Sequence, residues 1–144
     1  METSFDDIYS LFLATIDDYD MASIDDDELE YVLSSYLLNS LGHLQNGITN
    51  ISEIDIDKKV FNVDLSYVER LAIAKAMKLE WVSTKKHSQE LMAKAIGDRD
   101  YKAIQGTEYL KELTRVEKEL RKEIDRILID YSYSNEDFYG GLKG

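Results

Sequence analysis

Residues 66–82 read SYVERLAIAKAMKLEWV and carry the clearest helix signal in the chain. Ser66 and Glu69 have the spacing of a capping box, in which each side chain accepts a hydrogen bond from the other residue's backbone N–H. Apolar residues then recur at helical intervals, at Leu71, Ile73, Ala74, Met77 and Trp81. We therefore predict a helix from Ser66 to about Val82, with its apolar side and Trp81 buried in the core.

A longer helix is predicted downstream, from Thr107, its expected N-cap, to about Tyr131. Its apolar residues are three or four positions apart, at Leu110, Leu113, Val116, Leu120, Ile124, Ile127 and Tyr131. Three ion pairs of about 0.2–0.5 kcal/mol each are expected on its solvent side: Glu117 with Arg121, Glu119 with Lys122 and Glu123 with Arg126. Between the two helices, a short helix from Ser88 to Ile96 is expected to end at Gly97 in a left-handed conformation.

Two further helices are predicted in the first part of the chain. One runs from about Ser4 to Ile16, with Thr3 or Ser4 as its N-cap and with Phe5, Ile8, Phe12 and Ile16 on its apolar face. The other runs from about Asp25 to Leu44, with Ser23 or Asp25 as its N-cap. In the irregular connection that follows, over residues 45–64, an alternation of apolar and charged residues allows a short extended segment before Phe61.

These segments predict an all-α fold. The chain has 144 residues, no Pro and only seven Gly, so it contains few helix-breaking residues. We expect one compact bundle of about four to five helices over residues 1–132, with the long helix at its C-terminal end. Residues 133–144 show no helical period and include Gly140 and Gly141, so an extended C-terminal tail is expected there.

Charge is distributed unevenly along the chain. The first 57 residues contain fourteen Asp and Glu and no Lys or Arg, whereas residues 58–144 contain fifteen acids and seventeen bases. The net charge of -12 therefore comes from the first segment, which predicts a surface that faces a partner or a polymer. This balance argues against tight binding to nucleic acid, because phosphate binding requires clustered Lys and Arg.

The sequence offers no convincing catalytic, cofactor or metal site. There is no Cys, and His43 and His87 are far apart in the sequence. An EF-hand loop that starts at Asp18 would place Leu29 where a bidentate Glu is required. Ser83 and Lys86 match the S-x-x-K pattern without its companion motifs. We therefore expect a protein that is not an enzyme. We also expect no membrane association, since acidic residues follow Met1 where a signal peptide would be basic.

The expected tail contains the best candidates for partner binding. Tyr133, Phe138 and Tyr139 follow the last predicted helix, where no local core is available to bury them. Burial against another protein is as plausible as folding back, because aromatic residues are enriched in interfaces.

Several short strings resemble those of the head-tail connector, or adaptor, proteins from the neck of tailed bacteriophages. They are FDDIY with Phe12-Leu13, FNVDLS with Glu69, MKLEWV at residues 77–82, DYK before LKEL at residues 110–113, and YSY at residues 131–133. Together they span most of residues 4–133. The chain departs from the family pattern at residues 103–107.

The resemblance implies a structural virion protein that acts in the neck after assembly in the host cytoplasm. Such proteins form a homo-oligomeric ring, here expected to be dodecameric, between the portal protein and the next neck or tail protein. DNA passes through the ring without specific binding, and no catalytic residue is implied. By its position, the segment from Tyr133 to Gly144 corresponds to the part that grips the portal.

Two other functions are compatible with the sequence. An acidic DNA-mimic inhibitor of a nucleic-acid-binding protein would use the Asp cluster to bind a basic partner. A helical Mg²⁺-dependent nucleotide hydrolase would need inward-facing carboxylates from two helices, such as Asp25 with Glu28 or Glu119 with Glu123. In the predicted helices, most carboxylates lie on the side that faces solvent. The hydrolase is therefore the least favoured of these functions.

Overall fold

The computed structural model describes residues 2–16, 24–45, 47, 48 and 50–143, with side chains described up to Tyr133. Five α-helices occur in these residues: α1 (Phe5–Leu13), α2 (Asp26–Ser40), α3 (Tyr67–Ile96), α4 (Asp98–Ala103) and α5 (Gly106–Lys143). Three two-residue strands accompany them: β1 (Thr3–Ser4), β2 (Ile54–Asp55) and β3 (Val60–Phe61). The expected mainly helical fold with a long helix at the C-terminal end is confirmed.

Helix α3 begins where the capping box predicts. The Ser66 backbone N donates to Glu69 Oε1 at 2.9 Å, and the Glu69 backbone N donates to Ser66 Oγ at 3.2 Å. Glu69 is buried, and its second oxygen accepts a hydrogen bond from the Tyr131 hydroxyl of α5 at 3.3 Å. The cap therefore also joins the two longest helices.

The break expected between Val82 and Ser88 is wrong, because α3 is a single helix of 30 residues. The intervening residues contain neither Gly nor Pro. Extending an existing helix by one residue costs less conformational entropy than nucleating a new helix, so the polar residues 83–87 continue α3. The helix ends before Gly97, whose φ of 88° confirms the predicted left-handed residue.

The two N-terminal helices are shorter than expected. Ser4 is the N-cap of α1, since its Oγ accepts from the Asp6 backbone N at 3.2 Å, and Asp25 caps α2 through the Glu28 backbone N at 2.9 Å. Ser23 lies outside the described residues. A short 3₁₀ turn follows α2 at Leu41–His43, and Ile16 lies beyond the end of α1.

The strands form one small antiparallel sheet in the order β1-β3-β2. The extended segment before Phe61 is confirmed, whereas β1 was not predicted. Thr3 is fully buried beside this sheet: its hydroxyl donates to Val63 O and accepts from Leu65 N, both at 2.8 Å. Thr3 thus satisfies the backbone of the segment that leads into α3.

The hydrophobic core lies around the first half of α3, which packs against α1, α2 and α5. The largest fully buried side chains include Phe5, Ile8, Phe12, Leu37, Phe61, Ile73 and Met77. Trp81 is half-buried at the core edge rather than fully buried as expected, and Lys85 Nζ lies 5.9 Å from the centre of its ring.

Both ends of helix α5 differ from the predicted range. It begins at Gly106, one residue before the expected cap Thr107, and it continues to Lys143. The extended conformation expected for residues 133–144 is therefore wrong as far as Lys143, and Gly144 lies outside the described residues. The expected boundary after residue 132 lies inside this helix. Within it, Leu113, Leu120 and Ile124 are buried, and Val116, Ile127 and Tyr131 pack at the core edge, whereas Leu110 lies outside the core cluster.

Gly106 closes the joint between α4 and α5. A Cβ at this position would clash with three ring carbons of Tyr101, which is buried. The Tyr101 hydroxyl donates to Gln89 Oε1 of α3 at 2.8 Å. Close approach at Gly106 therefore lets one aromatic side chain hold α3, α4 and α5 together.

Candidate functional site

The acidic segment forms an exposed surface on α2 and on the β2–β3 hairpin. Asp26, Asp27 and Asp57 are exposed, and in the described part of the chain they form no ion pair. Glu30 is an exception, because its Oε1 lies 3.0 Å from Lys59 Nζ of the hairpin. Asp17, Asp18 and Asp20 lie outside the described residues. The described surface thus keeps an unneutralised negative charge.

Tyr9 lies buried beneath this surface. Its side chain is only 4% exposed, and its hydroxyl has no hydrogen-bond partner of good geometry. Burial raises the pKa of the Tyr9 hydroxyl well above its usual range, and the negative charges of Glu30 and Asp6 raise it further. Tyr9 therefore remains neutral at all physiological pH values.

Replacing Tyr9 by Phe is expected to remove an alkaline destabilisation. The raised pKa means that Tyr9 favours the folded state fully below about pH 10, its unfolded pKa, and that this contribution is lost as pH rises beyond that value. The wild type should lose about 1.4 kcal/mol more per pH unit above pH 10 than Tyr9→Phe. Urea unfolding between pH 7 and pH 11 measures this difference.

The exposed Tyr67 provides the matched control, because Tyr67→Phe removes a hydroxyl that is already in water. This variant should follow the wild type at every pH. If the stability of Tyr9→Phe also follows that of the wild type above pH 10, the result would contradict the burial of the Tyr9 hydroxyl in the structure.

The candidate catalytic and metal-binding residues do not converge. His43 Nε2 lies 2.7 Å from Glu80 Oε1, whereas His87 is exposed on α3. Ser83 and Lys86 both contact Glu117, at 3.1 and 3.5 Å, and so link α3 to α5. In the residues that the structure describes, no group of three or more His, Cys, Asp or Glu could hold a metal ion.

The carboxylates of α5 pair differently from the sequence prediction. Glu117 and Glu123 contact Lys86 and Lys75 of α3, at 3.5 and 2.7 Å. Glu119 accepts from Arg115 at 2.6 Å. The expected pairs with Arg121, Lys122 and Arg126 are therefore wrong. Arg115 also bonds Glu112 and so lowers the pKa of the Glu112 carboxyl.

A groove of about 340 Å³ lies between α3 and α5. Its charged lining residues are Lys75, Lys78, Arg115, Glu119 and Glu123, and Thr15 at the end of α1 borders it. Lys75 and Arg115 are already engaged by the two carboxylates. The groove is thus a largely neutralised ionic seam between the two helices. Of the other carboxylate pair considered for Mg²⁺, Asp25 caps α2 by accepting a hydrogen bond from the backbone N of Glu28.

Beyond the core, α3 continues into a helical hairpin that we call the arm, residues 83–112. Within the arm only Tyr101 and Gly106 are buried. Its exposed large apolar side chains are Leu91, Met92, Ile96, Ile104 and Tyr109. Sequence reasoning missed this surface, because it assigned residues 88–96 to a separate short helix.

The predicted partner-binding residues lie on the last turns of α5. Tyr133 is 61% exposed, and Ile129, four residues earlier on the same face, is 54% exposed. Phe138 and Tyr139 belong to the same helix, but their side chains lie outside the described part. The contacts of Glu123 with Lys75 and of Tyr131 with Glu69 show that α5 runs antiparallel to α3, so residues after 133 pass the start of α3.

No helix among the described residues is both long enough and apolar enough to cross a membrane. Comparisons with protein-family models, with curated proteins and with solved structures found no match for this chain.

Proposed function

We propose that this protein is a head-tail connector of a tailed bacteriophage, a structural virion protein without catalytic activity. In this role it forms a ring, expected to be dodecameric, between the portal protein and the next neck or tail protein. It assembles in the host cytoplasm and then resides in the neck of the virion. The short strings that resemble the connector family support this proposal.

The unneutralised acidic surface is the observation that carries the proposal furthest. Asp26, Asp27 and Asp57 project carboxylates from a body of packed helices and form no ion pair among the described residues, although Lys58 follows Asp57 in the chain. A channel for DNA must not hold the phosphate backbone, and negative charge along the path repels it and lets it slide. A rigid helical body with such a surface fits a passive conduit.

The last turns of α5 supply the second part of the proposal. Tyr133 and Ile129 are exposed on one helical face, and Phe138 and Tyr139 follow in the same helix. Aromatic residues are favoured anchors in protein interfaces because they bury a large area at a low cost in side-chain entropy. We assign this end of the helix to the contact with the portal protein.

Particles assembled without this protein test the proposal. Electron microscopy of a phage that lacks the gene should show heads without tails, either filled with DNA or leaking it, and supplying the wild-type chain in trans should restore complete virions. Normal infectious virions in the absence of the protein would refute the connector role.

A DNA-mimic inhibitor remains the alternative, because the same exposed carboxylates could imitate a row of phosphates. This role predicts a tight complex with a basic DNA-binding protein at low salt, which dissociates as the salt concentration rises. Mixing the purified chain with such a protein in a native gel distinguishes the two functions, since a connector should form no such complex.

A further inference from the structure

The second half of α3 repeats the apolar pattern of the first half, but its apolar side chains are not buried by neighbouring elements. Leu91 lies eighteen residues after Ile73, and Met92 lies eighteen residues after Ala74. Eighteen residues are about five complete turns, so each pair lies on the same side of the helix. Ile73 and Ala74 are buried, whereas Leu91 and Met92 are 54% and 42% exposed.

The lengths of the helices explain this exposure. At about 1.5 Å per residue, α3 is about 45 Å long, whereas α1 and α2 reach only about 14 and 22 Å. The buried side chains of α3 all lie between Glu69 and Val82, which is the part that α1 and α2 cover. Among the described elements, α4 and α5 are the ones that pack beside the second half of α3, and its outer face stays open.

A matching surface exists at the acidic end of the same molecule. Tyr31 of α2 and Ile56 of the hairpin are 73% and 57% exposed, and Asp27 and Asp57 flank them. The ion pair between Glu30 and Lys59 holds the hairpin beside α2. We call Asp27, Tyr31, Ile56 and Asp57 the acidic patch, which combines exposed apolar area with negative charge.

The charge of the arm is complementary to that of the acidic patch. The arm carries six bases and five acids, a net charge of +1, and its α3 part from Ser83 to Ile96 carries three Lys and one Glu. One of these Lys, Lys86, is paired with Glu117 of α5. The region around the patch stays strongly negative, because eight acids between Asp25 and Asp57 stand against two bases of the hairpin, Lys58 and Lys59. We infer that the arm of one copy docks, through Leu91 and Met92, on the acidic patch of a second copy of this chain. Asp27 and Asp57 lie in this contact, so Asp26 and the other exposed carboxylates outside the patch are the ones left to face the DNA path.

Such a contact is head-to-tail, because it joins two different surfaces. Each copy offers one arm and one patch, so association continues until the chain of copies closes into a ring or extends as a filament. This contact would be the interface between neighbouring subunits of the proposed ring. Only the closure of the ring rests on the proposed function. Loss of virion assembly and loss of self-association are separate measurements, so either can fail alone.

Two variants with distinct defects test the docking. Leu91→Glu with Met92→Glu blocks the arm, and Tyr31→Lys with Ile56→Lys blocks the patch. All four positions are exposed, so helical circular dichroism should match the wild type. Tyr67→Glu with Val68→Glu is the matched control, because it places two charges at adjacent exposed apolar positions of α3 outside both surfaces.

Sedimentation velocity over a range of concentrations measures the outcome. The wild type and the control should self-associate, more weakly at high salt, and each blocked variant should associate at least about 10-fold more weakly. An equimolar mixture of the two blocked variants retains one intact arm and one intact patch, and should therefore form a complex of two copies and no larger species.

Three results would overturn the inference. The wild type could remain a monomer at every soluble concentration, or both blocked variants could associate like the wild type. The patch variant alone could associate normally, which would indicate contact between two arms rather than between arm and patch.

Discussion

Phe61→Ala is expected to lower the free energy of unfolding by about 3–5 kcal/mol. The Phe61 side chain is fully buried, and its ring centre lies 5.4 Å from that of Phe5. It belongs to β3, which pairs with both β1 and β2. Truncation therefore leaves a cavity at the point where the N-terminus, the hairpin and α1 meet.

The urea midpoint measures this effect, and an unchanged m-value shows that two-state unfolding is retained. Since small domains are stable by only about 5–15 kcal/mol, the variant should lose a large fraction of its stability. Ile56→Ala in the same hairpin is the control, because Ile56 is exposed and its truncation should cost less than about 0.5 kcal/mol. Equal losses in both variants would show that the sheet does not anchor the core.

Ending the chain after Tyr133 is expected to abolish binding to the portal protein while leaving the fold intact. The most C-terminal side-chain contact with α3 among the described residues is that of Tyr131 with Glu69, and the truncation preserves it. The free energy of unfolding should change by less than about 1 kcal/mol. Removal of Phe138 and Tyr139 should weaken portal binding by more than about 30-fold for each lost anchor.

Co-sedimentation with portal-bearing particles measures the binding, and urea unfolding of the same preparation measures the fold. The double variant Phe138→Ala with Tyr139→Ala keeps the helix and separates the aromatic anchors from chain length. A truncated chain that binds normally would remove the C-terminal end of α5 from the proposed interface. A truncated chain that unfolds easily would place that end in the core.

Three of the helix starts were predictable from the sequence, because the signals of their N-caps are local. Ser4, Asp25 and Ser66 each accept a hydrogen bond from a backbone N–H two or three residues later, as their positions before apolar runs indicated. Apolar periodicity similarly identified the buried faces of α1 and α5. Neither signal depends on which element lies opposite.

Features that depend on distant parts of the chain were missed. The β1 strand has only two residues and exists because Val60 and Phe61 lie beside it. Glu117 and Glu123 bond to α3 because α5 packs antiparallel along it, which sequence spacing within α5 cannot indicate. The helical C-terminal end was missed because Gly140 and Gly141 are poor helix formers, yet α5 continues through them.

The acidic surface and the arm also differ in how well the sequence predicts them. The acidic surface was readable from the sequence, since fourteen acids without a base give an unneutralised charge in almost any fold. The arm was not readable, because Leu91 and Met92 look like ordinary core residues until the reach of α1 and α2 is known. The lengths of neighbouring helices decide which apolar residues stay exposed.

The turn between β2 and β3 also makes this chain a natural split protein. Lys58 is exposed there, beside Lys59 with its φ of 56°, and an exposed turn is a preferred site for cleavage by trypsin. Cleavage would leave fragments of 58 and 86 residues that β3 and α3 still join through their contacts with β1, β2, α1 and α2. Two separately expressed pieces are therefore expected to assemble through these contacts, and co-purification of one piece with the other would measure this.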